Sequence, residues 1–226
     1  MLRIRHLKKT FPSPDGKQQT IVDVPEFDLN SGQQVALQGQ SGCGKTTFLN
    51  LVSGILQADR PTSSQQPEPQ ITINGTNIAK LTERERDQFR GSSIGYIFQT
   101  FNLLPAYTVL ENVLLGMYFS GMVDTDWAEQ MLDQVGLSER LNYRPSQLSV
   151  GQQQRVAVVR ALVKKPNLVL ADEPTGNLDS LQAQTALQLI RQICQQQNAA
   201  LLLVSHNQNL LDQFEDCRLF SDINQT

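Results

Sequence analysis

The sequence predicts an α/β fold built around a mostly parallel β-sheet, and three features of the chain support this prediction. Strand patterns and helix patterns alternate along its 226 residues. The short apolar strand at 34–39 runs through a glycine-rich loop into an apolar helix. The apolar run at 167–174 ends in adjacent carboxylates. Because parallel sheets hold ligands at the carboxyl ends of their strands, we expect the functional site at that edge.

The first part of the chain predicts β-structure followed by a helix. Residues 2–7 and 20–28 have strand character, and the sequence FPSPDGK at 11–17 predicts the turn between them. Two strands joined by a turn predict an antiparallel β portion beside the parallel sheet. QVALQG at 34–39 then predicts a buried strand, and the apolar spacing from 45 to 56 predicts a helix.

The middle of the chain alternates between loops, strands and helices. Proline and serine predict a surface loop at 60–70, which precedes a strand that begins in ITING at 71–75. Thr82 with Glu85 predicts a capping box for a charged helix. The charges of that helix indicate a solvated face, and IGYIFQ at 94–99 predicts the next strand.

The rest of the chain continues the alternation. Thr108 with Glu111 predicts a further capping box, for a helix that extends through 119. The later predicted elements are helices at 126–136 and 150–165, a strand at 167–174, a helix at about 180–197 and a strand at 200–206. The last of these strands closes the predicted pattern.

Composition restricts the class of protein. With 39% hydrophobic residues the chain can bury a core, and its length fits one domain. The formal net charge of −3 argues against a dedicated nucleic-acid binder, since such proteins carry a basic patch. Cys43, Cys194 and Cys217 show no C-x-x-C spacing, which indicates reduced thiols in the cytosol. The apolar tract at 199–204 is too short to cross a bilayer, so any membrane role is expected to run through a partner.

GQSGCGKTT at 39–47 matches the phosphate-binding loop pattern G-x-x-x-x-G-K-[ST] and stands between a predicted strand and a predicted helix, as that loop requires. The glycines let backbone N–H groups surround phosphates, and the helix N-terminus adds partial positive charge. Lys45 would supply a full charge to the terminal phosphates, and the hydroxyl of Thr46 would coordinate Mg²⁺. Cys43 occupies a variable position and receives no catalytic role.

Asp172 and Glu173 follow the apolar run LVLA. A strand so apolar can present adjacent acids only at a solvated tip. There Asp172 would hold Mg²⁺ through water, and Glu173 would reach the attacking water as a general base. A merely solvated strand end is the alternative, and the loop at 39–47 disfavours it.

Gln99 and His206 end two other predicted strands, so their side chains are expected at the same sheet edge as the carboxylates. Glutamine can bridge metal-bound water and backbone, and histidine can donate a hydrogen bond to a γ-phosphate. Either residue alone would more often be structural. Their shared position favours a functional role.

LSVGQQQRV at 148–156 predicts a second anion-binding helix start. Ser149 and Gln152 have the spacing of a capping box, with Gly151 between them, so free N–H groups would face a negative group. This helix start lies more than a hundred residues after the phosphate-binding loop.

These motifs together resemble the ATP-binding-cassette ATPases. GQSGCGKTT, the glutamine after YIF, LSVGQQQRV, LVLADEP, NLDS at 177–180 and the histidine after LLLVS occur in that family's order, over nearly the whole chain. YIFQTFNLLP, TVLENV and ADEPTGNLDS further resemble the ATPase subunits of the lipoprotein-release and macrolide-export group. Val150 stands where the family most often has glycine, and SSQQPEPQ at 63–70 looks like an added loop.

The resemblance implies an ATP hydrolase that works as a head-to-tail homodimer, with ATP and Mg²⁺ as cofactors. Ser149 and Gly151 of each subunit would bind the γ-phosphate that the other subunit holds, and Asp179 would lie at the interface. Phe11 resembles the residue that stacks on adenine, and packing in the core or a turn is the alternative for it. The implied ATP-binding residues are Phe11, Gly39, Gln40, Ser41, Gly42, Cys43, Gly44, Lys45, Thr46, Thr47, Ser149, Gly151, Gln152 and Asp179. The implied catalytic residues are Glu173, His206 and Gln99, and the implied metal ligands are Thr46, Gln99 and Asp172.

The resemblance also implies that the chain consists of a core and a subdomain, and that it acts with a partner protein. The single domain would have a core at about 1–99 and 161–226, with an inserted helical subdomain at about 100–160. An integral membrane permease subunit would dock a short cytoplasmic helix on that subdomain, and no nucleic acid would be involved. FNLLPAY at 101–107 places apolar side chains in a loop, which indicates either a partner site or packing within the subdomain. The protein is therefore expected in the cytoplasm, peripheral on the inner membrane through its partner.

Three functional classes compete at this point. A transport ATPase subunit that drives export or extraction is favoured by the lone, minimal cassette. A non-transport cassette of DNA repair would need long coiled coils or a basic face, and the sequence has neither. A membrane-recruited regulator, as in cell division, stays open.

Overall fold

Two β-sheets with surrounding helices make up the fold, which comes from a computed structural model. The predicted α/β class with a mostly parallel sheet and an antiparallel β portion is confirmed. The structure describes residues 1–14, 16–61, 63, 65–121 and 123–226.

The N-terminal part of the chain supplies an antiparallel sheet. Its strands, in sheet order, are β2 (Gln18–Leu29), β1 (Leu2–Pro12), β4 (Gln70–Ile73) and β5 (Thr76–Asn77). Leu2 lies opposite Leu29, and alternate side chains of both long strands enter the core. The predicted turn at 11–17 is shorter than expected because β1 continues to Pro12, and residue 15 of that turn lies outside the described part.

A parallel sheet forms the centre of the molecule. Its strands, in sheet order, are β6 (Ile94–Ile97), β7 (Leu168–Asp172), β8 (Ala200–Ser205), β3 (Gln34–Gln38) and β9 (Asp216–Leu219). The prediction that the strand at 200–206 closes the pattern is wrong, because β9 pairs with β3 at the sheet edge. The sequence DCRL of β9 has four residues and no apolar run, so its pattern carries no strand signal.

Helices surround the parallel sheet. They are α1 (Lys45–Val52), α2 (Glu83–Ser93), α3 (Val109–Leu115), α4 (Thr125–Gln134), α5 (Val150–Leu162), α6 (Ser180–Gln196), α7 (Gln208–Leu211) and α8 (Phe220–Ile223). The predicted capping boxes are confirmed: Thr82, Thr108 and Ser149 each accept from the N–H three residues later, whose side chain accepts in return. Each such cap contributes about 1 kcal/mol to helix stability.

Two predicted helices end earlier than expected. α1 ends at Val52, not at 56, since Gly54 follows with φ 72°, a left-handed conformation that does not continue a helix. α3 ends at Leu115, not at 119, where Gly116 passes so close to the carbonyl of Arg160 in α5 that a side chain could not fit. The predicted loop at 60–70 has no regular element before β4 among its described residues, and residues 62 and 64 lie outside them.

Two buried apolar clusters hold the layers together. One contains Val169 and Ala171 with side chains of α3, α4, α5 and α6, and the other contains Leu168 and Leu170 with the antiparallel sheet and α1. Every residue of β7 is buried, as expected for a parallel strand covered on both faces. Asp172, the last residue of this strand, and Glu173, which follows it, are therefore attached to a rigid element.

The region 100–160, expected as an inserted helical subdomain, contains α3, α4 and most of α5. α5 crosses the expected boundary and ends at Leu162, and its apolar face belongs to the cluster that also covers the parallel sheet. The division between core and subdomain stays a prediction. In the described ranges, no helix combines the length and the apolar character that a membrane span needs.

Candidate functional site

The loop at 39–47 joins β3 to α1. Lys45, at the start of α1, holds the loop together by hydrogen bonds to its backbone. Lys45 Nζ donates to the carbonyl oxygens of Gly39 and Gln40 at 2.6 and 2.8 Å, and its side chain is 6% exposed. Gly44 has φ 102° before α1, and a Cβ there would lie 2.7 Å from a backbone oxygen of β2, so only glycine fits. The turn and the helix start form a cradle for an anion of phosphate size.

A hydroxyl and a carboxylate meet beside this loop. Thr46 Oγ1 donates to Asp172 Oδ1 at 3.1 Å, which connects the start of α1 to the end of β7. The prediction that the acids stand at a solvated tip is wrong for Asp172, which is buried because the loop covers it. Burial raises the pKa of Asp172, the hydrogen bond from Thr46 lowers it, Glu173 raises it and Lys45 lowers it. The net direction is upward from the ordinary value.

These oxygen groups fit a hard cation. Mg²⁺ is usually bound in proteins by one or two carboxylate or hydroxyl groups, with waters and substrate phosphates completing its coordination. Thr46 and Asp172 supply such a pair. No group of three or more histidine, cysteine or acidic side chains suited to a metal occurs among the described residues.

Glu173 lies between two nitrogen groups. Its Oε1 is 2.8 Å from His206 Nδ1 and 4.0 Å from Lys45 Nζ, and its Oε2 accepts from Ser205 Oγ at 3.1 Å. Its backbone has φ 44°, a left-handed conformation that costs about 1 kcal/mol or more and is held by the bond from its N–H to the carbonyl of Val204. The side chain is 12% exposed. The carboxylate is thus fixed in direction but reachable by a water molecule.

His206 follows β8, and its side chain is 63% exposed while Nδ1 contacts Glu173. Because a carboxylate only accepts, the ring donates from Nδ1 to Glu173. A hydrogen bond from His206 to a phosphate would need a proton on the second ring nitrogen as well. The predicted convergence of these two residues at one sheet edge is present in the structure.

Gln99 lies two residues beyond the end of β6, which stops at Ile97 and not at 99 as predicted. Its carbonyl accepts from Asn177 Nδ2 at 2.9 Å, and its side-chain amide lies beside Gly176. Gln99 is exposed, so its side chain extends from a backbone that is anchored to the segment after the carboxylates.

The second predicted anion site, at the start of α5, has a different environment. Ser149 is exposed, and its hydrogen bonds to Gln152 are local, at 2.9 and 3.3 Å. Val150 is 47% exposed. Within the described ranges, no hydrogen bond joins this helix start to the loop at 39–47. The structure brings the loop at 39–47 together with Asp172, Glu173 and His206 but leaves this helix start directed to solvent.

Two further predicted residues have clear local partners. Phe11 is half-buried near the end of β1, belongs to neither apolar cluster, and has Lys9 Nζ 5.5 Å from its ring centre. Part of the ring is therefore accessible for stacking. Asp179 caps α6 by accepting from the N–H of Gln182 at 2.9 Å, a role that the sequence analysis missed.

The sequence analysis also missed two polar side chains, the half-buried Arg160 and the buried Asn112, that fix the segment 101–107. The guanidinium of Arg160 donates to the carbonyl oxygens of its first two residues, both at 2.6 Å. Asn112 accepts from the N–H of Leu104 and donates to the carbonyls of Leu104 and Tyr107. Asn112 and Arg160 stand in helix patterns as ordinary polar residues, so no pattern in the sequence indicates this role. The segment is irregular but firmly held.

The sequence of the chain is similar to those of known ATP-binding proteins. The family model described as ABC transporter matches residues 22–176. The chain is 41% identical over 210 residues to the lipoprotein-releasing system ATP-binding protein LolD of Colwellia psychrerythraea, covering 92% of this chain and 78% of that protein. It is 41% identical over 213 residues to an uncharacterized ABC transporter ATP-binding protein of Mycobacterium tuberculosis, covering 93% and 82%.

Solved structures agree as well. The dimeric structure of MJ0796, a bacterial ABC transporter cassette, has a TM-score of 0.83 and 31% identity, covering 97% of this chain and 94% of that one. A dimeric post-hydrolysis state of the same cassette, bound to ADP and Pi, has a TM-score of 0.79 and 32% identity, covering 93% and 90%.

Proposed function

The chain belongs to the ABC transporter family, and from this premise we propose how its residues divide the work of an ATP-binding subunit. The protein binds and hydrolyses ATP as a dimer of cassettes and acts with a membrane permease subunit. Its similarity to LolD supports a transporter of the lipoprotein-release type. A regulatory role at the membrane is the alternative.

The position of Glu173 carries the assignment of hydrolysis. Its carboxylate is 4.0 Å from Lys45 and 2.8 Å from His206, at the end of a fully buried strand. Lys45 would neutralise the terminal phosphates, and Glu173 would take the proton of the attacking water. His206 would orient that carboxylate. Thr46, Asp172 and Gln99 would hold Mg²⁺, which when bound would offset the charge of the phosphates.

The start of α5 would complete the site of a second chain. Ser149 is exposed, the nearby backbone N–H groups begin a helix of 13 residues, and hydrogen bonds to the loop at 39–47 are absent in the described ranges. These features support binding of a γ-phosphate held by the other subunit, with Gly151 allowing close approach. Asp179 would lie at the same interface, and Phe11 would stack on adenine.

The segment 101–107 would receive the membrane subunit. Leu104 and Tyr107 are each 42% exposed on a backbone that Arg160 and Asn112 hold in place. Leu103 instead packs against the apolar cluster, so Leu104 is the leucine of this segment that would contact the partner. Docking here would place the chain on the cytoplasmic face of the membrane.

The substitution Glu173→Gln tests this division of roles. Without its general base the chain should retain ATP and lose hydrolysis by at least about a hundredfold. Because ATP then joins two subunits without being consumed, the variant should accumulate as a dimer in ATP and Mg²⁺. Gel filtration with light scattering measures this. A variant that stays monomeric in saturating ATP would contradict the proposal.

A further inference from the structure

Gln154 is a fully buried glutamine in α5, and it connects this helix to the turn after the carboxylates. Its Nε2 donates to the carbonyl oxygen of Pro174 at 2.6 Å. Its Oε1 has no hydrogen-bond partner among the described residues. A buried amide that is only half satisfied is rare in proteins and calls for an explanation.

Stability does not explain this amide. A buried acceptor without a partner costs at least as much free energy as one ordinary hydrogen bond returns. An apolar side chain of similar shape, such as methionine, would lose the bond to Pro174 and also remove the unpaired oxygen. The substitution therefore exchanges the unpaired Oε1 for a Pro174 carbonyl oxygen without this donor, while the apolar packing of α5 is kept, so a glutamine at this position is not required to hold α5 in the core.

The location of Gln154 suggests a different role. Pro174 directly follows Glu173, whose left-handed backbone, with φ 44°, needs fixed surroundings. Ser149 starts the same helix five residues earlier, which is about 7–8 Å along the helix axis. The first part of α5 and one short hydrogen bond therefore join the start of this helix to the turn that follows Glu173.

We propose that Gln154 is a positioning residue that couples these two parts. This inference rests on the proposed function, in which Ser149 and Gly151 bind the nucleotide of the other subunit while Glu173 acts on its own. When the helix start engages the partner's phosphate, α5 settles into one position. Through its hydrogen bond, Gln154 then fixes the carbonyl of Pro174, and this in turn fixes the carboxylate of Glu173. Hydrolysis at one site thereby depends on occupancy of the other.

The substitution Gln154→Met in the full chain tests the proposal. We expect kcat to fall about tenfold because Glu173 loses its alignment, with KM for ATP within about twofold because the loop at 39–47 is untouched. The Hill coefficient for ATP should fall from about two towards one as the sites become independent. The melting temperature should move by no more than a few degrees.

Gln153→Met is the matched control. It makes the same chemical change one residue earlier, where the amide donates to the carbonyl of Leu148 at 3.2 Å and does not reach the turn after β7. Its kcat and Hill coefficient should stay within about twofold of the unmodified chain.

Each other outcome overturns the inference. Unchanged kcat and Hill coefficient in Gln154→Met would show that the bond to Pro174 positions nothing. A melting temperature lower by more than about 10 °C, or failure to fold, would make Gln154 a structural support. If the unmodified chain shows no cooperativity and Glu173→Gln does not dimerise in ATP, the proposed function fails and this inference with it. If Glu173→Gln dimerises normally, failure of the Gln154 test affects the inference alone.

Discussion

The two helix starts that are predicted to bind phosphate differ in how they are held. At the start of α1, Lys45 is 6% exposed, bonds to its own loop and lies 4.0 Å from Glu173. At the start of α5, Ser149 is exposed and its bonds are local, and Val150 is 47% exposed. One helix start belongs to an enclosed network, while the other faces solvent.

This difference shows what one chain can and cannot do by itself. The residues proposed for charge neutralisation and proton transfer, Lys45, Glu173 and His206, all belong to one chain and follow the adjacent strands β3, β7 and β8. The second anion site has no internal partner in the described ranges. A family of dimeric cassettes explains this division, since each subunit then completes the site of the other.

The largest expected effect comes from charge placed on the open helix start. Gly151→Glu would put a carboxylate where the partner's γ-phosphate is bound, so hydrolysis should fall at least about a hundredfold while ATP binding to the isolated chain persists. Phosphate release and a fluorescent nucleotide measure the two properties.

The control for this substitution is Gln147→Glu. Residue 147 is exposed two residues before the helix start, and its side chain accepts from the N–H of Arg144, which glutamate can also do. It should behave as the unmodified chain does. Equal loss in both variants would mean that general charge, and not the position of Gly151, lowers activity.

A smaller effect is expected at the segment 101–107. Leu104→Glu should reduce association with membranes that contain the permease subunit by about tenfold, because an exposed apolar contact becomes charged. Hydrolysis by the isolated chain should not change. Sedimentation with the membranes measures association.

Leu219→Glu is the matched control for Leu104. Leu219 is exposed to a similar degree, at 47%, but it lies in β9 at the far edge of the parallel sheet. Membrane association should persist in this variant. If both variants sediment like the unmodified chain, the partner docks elsewhere.

The smallest expected effect is a change in stability at two helix-capping residues. Thr82→Ala and Ser149→Ala each remove a capping box, so each should cost about 1 kcal/mol and lower the melting temperature by about 2–4 °C. Only Ser149→Ala should also lower hydrolysis. Thermal melting and ATPase assays on both proteins test this. Equal hydrolysis in the two variants would assign Ser149 a purely structural role.

Features that depend on neighbouring residues were predictable from the sequence. Three capping boxes, the phosphate-binding loop and the buried strand before the carboxylates occur where expected. In each case, the cause lies within a few residues: a hydroxyl and an acceptor three positions apart, or a run of apolar side chains.

Features that depend on distant residues were not predictable. The enclosure of Asp172, the left-handed backbone of Glu173 and its bond to Ser205 arise where β7 and β8 end side by side. The amides of Asn112 and Gln154 find partners only after folding. Neither spacing nor composition encodes such contacts, because many polar residues in helices have no partner.

Each catalytic site is proposed to combine the loop of one chain with the helix start of another, and mixing two inactive variants tests this most directly. Lys45→Ala disables the loop, Gly151→Glu disables the helix start, and each variant alone should be inactive. In an equal mixture, half of the dimers should contain one intact site, so ATPase activity should return, at no more than about a quarter of the normal rate because the second site of each mixed dimer is disabled. Lys45→Ala mixed with Glu173→Gln should stay inactive, since both changes affect the same side of the site. If the first mixture also stays inactive although mixed dimers form, the site is not shared between chains.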